Sequence, residues 1–184
     1  MNGPDRLDAI EDIKKLKARY FRGVDFTDYD ILRDVFHDDV TVDYRGSTTD
    51  PLTGETYTTG TDVPYHGGEA SARMICATLA NIVSVHHGHM PEIELTGDNT
   101  ATGIWPMEDR LYMPEGSPIR LLVGYGHYHE TYERVDGAWK IKTLRLTRLK
   151  VDVFSRQNRQ PFRQKLRRSF FPRRFFGRDA APGS

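Results

Sequence analysis

Apolar residues recur along residues 5–24 at three- and four-residue spacing: Leu7, Ile10, Ile13, Leu16, Tyr20 and Val24. That period places them on one face of an amphipathic helix. Pro4 stands near its start, where a missing N–H costs least. Gly23 weakens the last turn, and Asp25 follows where the helix should end. A second, short helix is predicted from Thr27 or Asp28, with Thr27, Asp28 and Asp30 supplying cap-type oxygens. Ile31, Leu32, Val35 and Phe36 give it an apolar face, and the short connection folds the two helices into a hairpin. Asp38-Asp39 then breaks the helix.

The period changes to two at Val40-Thr41-Val42-Asp43-Tyr44, a first strand. Residues 46–66 are rich in Gly, Thr, Pro and Asp, a long loop with a ragged hairpin around Gly54 and Gly60, of the kind that serves as a lid or binding loop. A third helix is expected over about 70–81, with Met74, Ile75 and Leu79 apolar. Strands follow over about 83–95, 101–113, 119–134 and 138–153. They are separated by turn signals at Gly97-Asp98-Asn99, at residues 114–118 and at Asp136-Gly137. Helices first and strands after indicate an α+β fold, with the helices on one face of a curved antiparallel sheet.

The bulk numbers fit a globular domain and add one asymmetry. The chain has 184 residues, enough for one domain with a sizeable core. Of 26 Lys/Arg and 26 Asp/Glu, nine basic residues and one acid lie in 155–184, which leaves 17 and 25 for 1–154. A mildly acidic body therefore carries a basic extension. No apolar run approaches membrane-spanning length, and the first residues hold no signal-peptide core. The single cysteine, Cys76, excludes an internal disulfide and sits in an apolar run as a small hydrophobe. Together these place the chain in the cytoplasm.

Candidate chemistry centres on His86, His87 and His89, three of the seven histidines within four positions. Imidazole changes charge near neutral pH and is the usual general acid/base, although a single His is more often a satisfied core or surface group. A metal reading lacks HExxH, CxxC or a facial carboxylate pattern. No P-loop or GxGxxG is present, so no nucleotide cofactor is expected. His127 and His129 alternate with Tyr125 and Tyr128 on the penultimate strand and are expected to line either the pocket or the opposite sheet face.

Three passages carry a resemblance. They are Tyr20-Phe21-Arg22-Gly23-Val24-Asp25 through Phe36-His37-Asp38-Asp39-Val40, then Val85-His86 with residues 93–101, and residues 128–141 around Arg134-Val135-Asp136-Gly137. In order and spacing the chain resembles the SnoaL-like branch of the nuclear transport factor 2-like superfamily, over about residues 5–153. The resemblance implies a cone-shaped roll, three N-terminal helices packed on a strongly curved antiparallel sheet around an apolar pocket. It gives a domain over 1–153 and leaves 154–184 as a basic, Phe/Arg-rich extension. The superfamily holds dehydratases, isomerases, cyclases, a dehydrochlorinase and non-catalytic dioxygenase β subunits, so fold fixes the pocket and not the reaction.

By the same resemblance Tyr20 and Asp25 match a Tyr and an Asp at the end of the first helix. His86 matches the His that faces them, Asp109 a later acid, and Arg145 a last-strand Arg. Arg145 and Arg148 lie on opposite faces of a regular strand, so at most one is expected to enter the pocket, and Arg145 is preferred. Each residue also has a plainer role: Asp25 as a helix cap, Asp109 as a strand charge beside Arg110, Tyr20 as core. The function implied is a cofactor-independent lyase, dehydratase-like, using an Asp–His general acid/base on a small apolar cyclic hydroxy-carbonyl substrate, steroid- or polyketide-like. An isomerase or cyclase with the same base, or a non-catalytic ligand-binding protein, are the alternatives.

In the extension Phe162, Phe170, Phe171, Phe175 and Phe176 interleave with Arg and Lys. Docking on the body or on a neighbouring subunit of a homo-oligomer is favoured over a membrane surface, because Pro161 and Pro172 interrupt any long helix. Nucleic acid is not expected as a partner.

Overall fold

The first helical period becomes one helix, α1 (Gly3–Asp25), in a computed structural model that describes residues 3–58 and 63–156. Gly60 and the basic extension from 157 onward lie outside the described residues. The buried face of α1 carries Ile13, Leu16, Tyr20 and Val24, as the spacing predicts, with Ala9 and one charged residue, Lys17, while Ile10 is only partly buried. Leu7 lies before the helix reaches the core and stays 67% exposed. Helix α2 (Tyr29–Val35) is capped by Asp28, whose carboxylate accepts the Ile31 N–H at 3.0 Å. Helix α3 (Gly68–Leu79) buries Ala72, Ile75 and Leu79.

Seven strands follow the helices or thread between them: β1 (Phe36–Asp43), β2 (Tyr65–His66), β3 (Val83–Gly88), β4 (Glu92–Leu95), β5 (Thr100–Tyr112), β6 (Ile119–Val135) and β7 (Ala138–Ser155). They form one unclosed sheet in the order β2-β1-β7-β6-β5-β3, with β4 also on β5. The inward face brings Trp105, Tyr128, Tyr132, Trp139, Leu144 and Leu146 against the helices in one core. This is the expected α+β roll of three helices on a curved sheet, with specific departures.

The sheet is mixed, because β1 pairs with β7 in parallel while every other pair is antiparallel. A hairpin turn dictates antiparallel pairing, but β1 and β7 are almost a hundred residues apart and no turn sets their direction. Strand β1 begins at Phe36, directly after α2, so Asp38-Asp39 lies inside it with both residues exposed. The strand expected over 83–95 is two, β3 and β4, separated at His89-Met90-Pro91. Proline lacks the ladder donor, and the His89 N–H instead reaches the Pro106 carbonyl at 2.8 Å. Within 46–66 the described residues hold an isolated bridge, Thr49 with Thr56, and the short strand β2 at the end of the segment.

The turn chemistry of the long hairpin is as the sequence predicts. Asp136 and Gly137 have φ of 50° and 83°, the two positive angles of a type I′ turn between β6 and β7. Midway along this ladder the register shifts between Tyr125 and Gly126. A Cβ at Gly126 would lie 1.9 Å from the Thr147 carbonyl oxygen, so only glycine lets the strands close there. Among the described residues no helix is long and apolar enough to cross a membrane.

Gly126→Ala should therefore destabilise the protein by about 2 kcal/mol or more, since overpacking against backbone cannot be relieved by a rotamer change. Denaturant unfolding followed by tryptophan fluorescence checks this; an unchanged midpoint would show that the ladder yields at no cost.

Candidate functional site

A cavity of about 530 Å³ lies between the helices and the inward face of the sheet, within the size range of small-molecule pockets. Its walls are apolar, from Ile75, Leu79 and Ile82 on the helical side and Leu111, Leu122 and Leu146 on the sheet. Loop residues 47, 48, 57 and 58 complete one wall, so part of the 46–66 segment is a binding wall. The polar groups gather in two sets, the end of α1 with β3, and the facing positions of β5 and β7.

Asp25 is the last residue of α1 and does not cap α2, a role that Asp28 fills. Its carboxylate instead accepts three hydrogen bonds from β3: Ser84 Oγ at 3.1 Å, the His86 N–H at 3.0 Å and His86 Nδ1 at 2.6 Å. Alternation along β3 turns Ser84 and His86 to the same side, and the His86 side chain is 8% exposed. Phe21, one turn before Asp25, stacks on the imidazole with ring centroids 6.3 Å apart and planes at 22°. The ring is thus held on its face and on Nδ1, and Nε2 is the nitrogen that Asp25 does not engage. His87 points the other way, exposed, toward Glu108 at 3.3 Å.

Tyr20 is both core and pocket. It is 1% exposed, lines the cavity, and shares a hydrogen bond of 2.5 Å with the Tyr44 hydroxyl. Tyr44 and Tyr128 also line the cavity, and neither is among the site residues that the sequence points to. Burial pushes the phenol pKa of all three well above the ordinary value, so each is a neutral donor at physiological pH.

Asp109 is buried and lines the cavity. It does not pair with Arg110, which faces Glu108 at 3.7 Å. It accepts the Gly124 N–H at 3.1 Å and an Arg148 N–H at 2.7 Å. A Cβ at Gly124 would fall within 2.6 Å of both side chains, so a glycine opposite Asp109 makes room for the pair.

The last-strand arginine needs correction. Arg148 enters the cavity, 5% exposed at its side chain, and is tied further to the Ser47 carbonyl at 2.7 Å. Arg145 lies on the outer face, 54% exposed, and pairs with Asp43 at 2.5 Å. Parity would have shown this: Leu144 and Leu146 point inward, so Arg148 does too and Arg145 does not. Asp43 itself is held low, to about 2, chiefly by its hydrogen bond from Arg45. His129 is exposed on the outer face with Thr147, and neither it nor His127 lines the cavity. Among the described residues, no three His, Cys, Asp or Glu side chains gather as a metal site.

The two arginines should separate in a stability measurement. Arg148→Ala leaves Asp109 buried and unpaired, with an expected loss of about 3–5 kcal/mol. Arg145→Ala removes an exposed pair, with a loss of at most about 1 kcal/mol. Equal losses in chemical denaturation would contradict the placement.

Comparison with known proteins agrees with this architecture. A family model for the SnoaL-like domain matches residues 5–145. A hexachlorocyclohexane dehydrochlorinase, LinA type 2, superposes with a TM-score of 0.67 at 20% identity, covering 84% of this chain and 94% of the other. A candidate scytalone dehydratase from Novosphingobium aromaticivorans gives 0.68 at 18% identity, covering 83% and 92%. Kfla4162 from Kribbella flavida gives 0.64 at 19% identity, covering 80% and 94%. At these identities the structures speak for the fold alone, while the family match spans more than half of the sequence: this chain belongs to the SnoaL-like family.

Proposed function

We propose that the protein is a cofactor-independent lyase that eliminates water from a small, apolar, cyclic hydroxy-carbonyl compound, with Asp25 and His86 as its general acid/base unit. The observation that carries this reading is the 2.6 Å contact between Asp25 and His86 Nδ1 at the wall of an otherwise apolar cavity. A carboxylate on one imidazole nitrogen fixes the tautomer and leaves Nε2 unprotonated and ready to take a proton. The C–H beside the substrate carbonyl gives its proton to Nε2, and the bonding pair becomes an enolate. The phenols of Tyr20, Tyr44 and Tyr128 are the donors available to that oxygen. Collapse of the enolate forms the C=C bond and expels the β-hydroxyl, which takes the proton back from the imidazolium and leaves as water. Atoms and charge balance with no added reductant, oxidant or metal.

The electrostatics of the cavity favour a neutral substrate. Arg148 is matched by Asp109, so no unpaired cation remains on the described walls to hold a carboxylate or phosphate. A dehydrochlorinase and a candidate scytalone dehydratase among the structural neighbours are eliminating enzymes by name. That supports the reaction class, and the phenol donors favour an oxygen-stabilised elimination over loss of chloride.

The test is a screen of cyclic β-hydroxy ketones in EDTA, following the absorbance of the conjugated product. His86→Ala should lower turnover on the order of 10²–10⁴-fold, the range for a positioned acid/base, with ligand binding largely kept. Asp25→Asn should lose most activity too, and the double variant little more, because the two act as a unit. Tyr20→Phe should cost less. Full turnover by His86→Ala, or loss in wild type on adding EDTA, would overturn the reading.

A further inference from the structure

Behind the cavity lies an ion pair that the proposed elimination does not use. Lys17 and Glu130 have no exposed side-chain surface, and their ammonium and carboxylate are in contact. Two buried charges are a poor choice for stability alone, since apolar residues of similar volume usually serve as well or better. Position 17 falls on the inward face of α1, where leucine or methionine would continue the apolar stripe.

The location of the ammonium gives it a use. It lies 3.7 Å from the ring centroid of Tyr128, 4.1 Å from that of Tyr20 and 4.7 Å from that of Phe21. The first two rings carry hydroxyls of the cavity wall, and the third is the ring stacked on His86. Glu130 is tied away from these rings on its other side: its carboxylate accepts the Tyr132 hydroxyl, which accepts the Trp105 Nε1–H at 2.7 Å. The cation thus lies against the phenol rings, with its counter-charge in contact on the side turned to Tyr132.

We propose that Lys17 is a positioning residue of the pocket: its ammonium, held by Glu130, polarises the Tyr20 and Tyr128 phenols and strengthens the hydrogen bonds they give to a substrate oxygen that gains charge. A cation at a ring face stabilises the electron-rich form of the ring, and in a dry site the effect is larger than in water. Burial makes these phenols weaker acids, and a cation against the ring face acts in the opposite direction. Tyr20 and Tyr44 share one hydrogen bond, so the pair retains a proton for the substrate. Lys17 faces Glu130 and Tyr128 on β6 and Tyr20 on its own helix. Burial lowers its own pKa to about 8, with Glu130 pushing it back up.

The inference rests on the phenols being the donors of the proposed elimination, yet its main test needs no substrate. A polyfluorinated tyrosine of lowered intrinsic pKa is placed at position 20 of the full chain. It is titrated by absorbance in the wild-type background and in Lys17→Met/Glu130→Gln, which removes both charges at near-constant volume. The phenol in the double variant should be at least a tenfold weaker acid; equal titration curves in a folded variant overturn the proposal. Should that variant fail to fold, a singly fluorinated tyrosine at position 20 of the wild-type background decides by 19F resonance. Its signal should move in a separate step near pH 8 as Lys17 loses its proton, and a flat signal there overturns the proposal. With a substrate in hand, the double variant should lower kcat about tenfold with KM nearly unchanged. Activity retained in His86→Ala alongside a shifted phenol would defeat the elimination scheme and leave the role of Lys17 standing.

Discussion

The carboxylate of Asp25 is the joint between the two layers of this fold. It ends α1 and accepts three donors from β3, a strand 60 residues further on. An aspartate at a helix end usually faces water or caps the next turn. Here the cap is supplied by Asp28, and the positive φ of Thr27 turns the chain so that Asp25 is free to reach the sheet. A carboxylate with several N–H and O–H donors is geometrically fixed. The imidazole it fixes is therefore placed by the docking of helix on sheet, and the scaffold contact and the proposed acid/base contact are one interaction.

A second constraint is charge. Four ionisable groups, Lys17, Glu130, Asp109 and Arg148, are essentially removed from water and assembled as two pairs. Each pair is costly if broken and of little net benefit if kept, so its value lies in what it orients. Asp109 and Arg148 span β5 and β7 across Gly124 on the intervening β6, which fixes the polar wall of the cavity. Lys17 and Glu130 join α1 to β6 on the far side of the aromatic floor. The cavity lies between two neutralised pairs, and its lining is largely apolar although two charges stand in the wall and two behind it.

Much of this was legible in the sequence because it depends on local rules. The 3.6-residue period gave the inward face of α1, and Asp136-Gly137 gave the hairpin turn. The resemblance gave the facing of Asp25 and His86, which no local rule can supply across 60 residues. What stayed hidden depends on tertiary context. The parallel β1–β7 pair has no local signal. Lys17 reads as a solvated lysine because an ion pair with a residue 113 positions away is invisible to a helical wheel. Tyr44 closes a strand of ordinary alternation, and only the fold brings its hydroxyl to Tyr20. Arg148 was accessible to parity from Leu144 and Leu146, and a shift of register beyond it, between Tyr125 and Gly126, blurred the pattern.

On the proposed elimination, these placements bear on how the barrier to proton abstraction from carbon could be lowered. The difficulty is the enolate: its charge must be met by donors already aimed, since donors that reorient during the reaction contribute little. Phenols buried as deeply as Tyr20, Tyr44 and Tyr128 are oriented but are weakened as acids by that burial. A cation in the cavity would correct the weakness and also bind the substrate's ground state, or any passing anion. A cation behind the rings, at Lys17, acts on the phenols through their π faces and is inaccessible from the cavity. Orientation, acidity and exclusion of water are then supplied by different parts of the fold, and the pocket can remain apolar enough to accept a neutral ring.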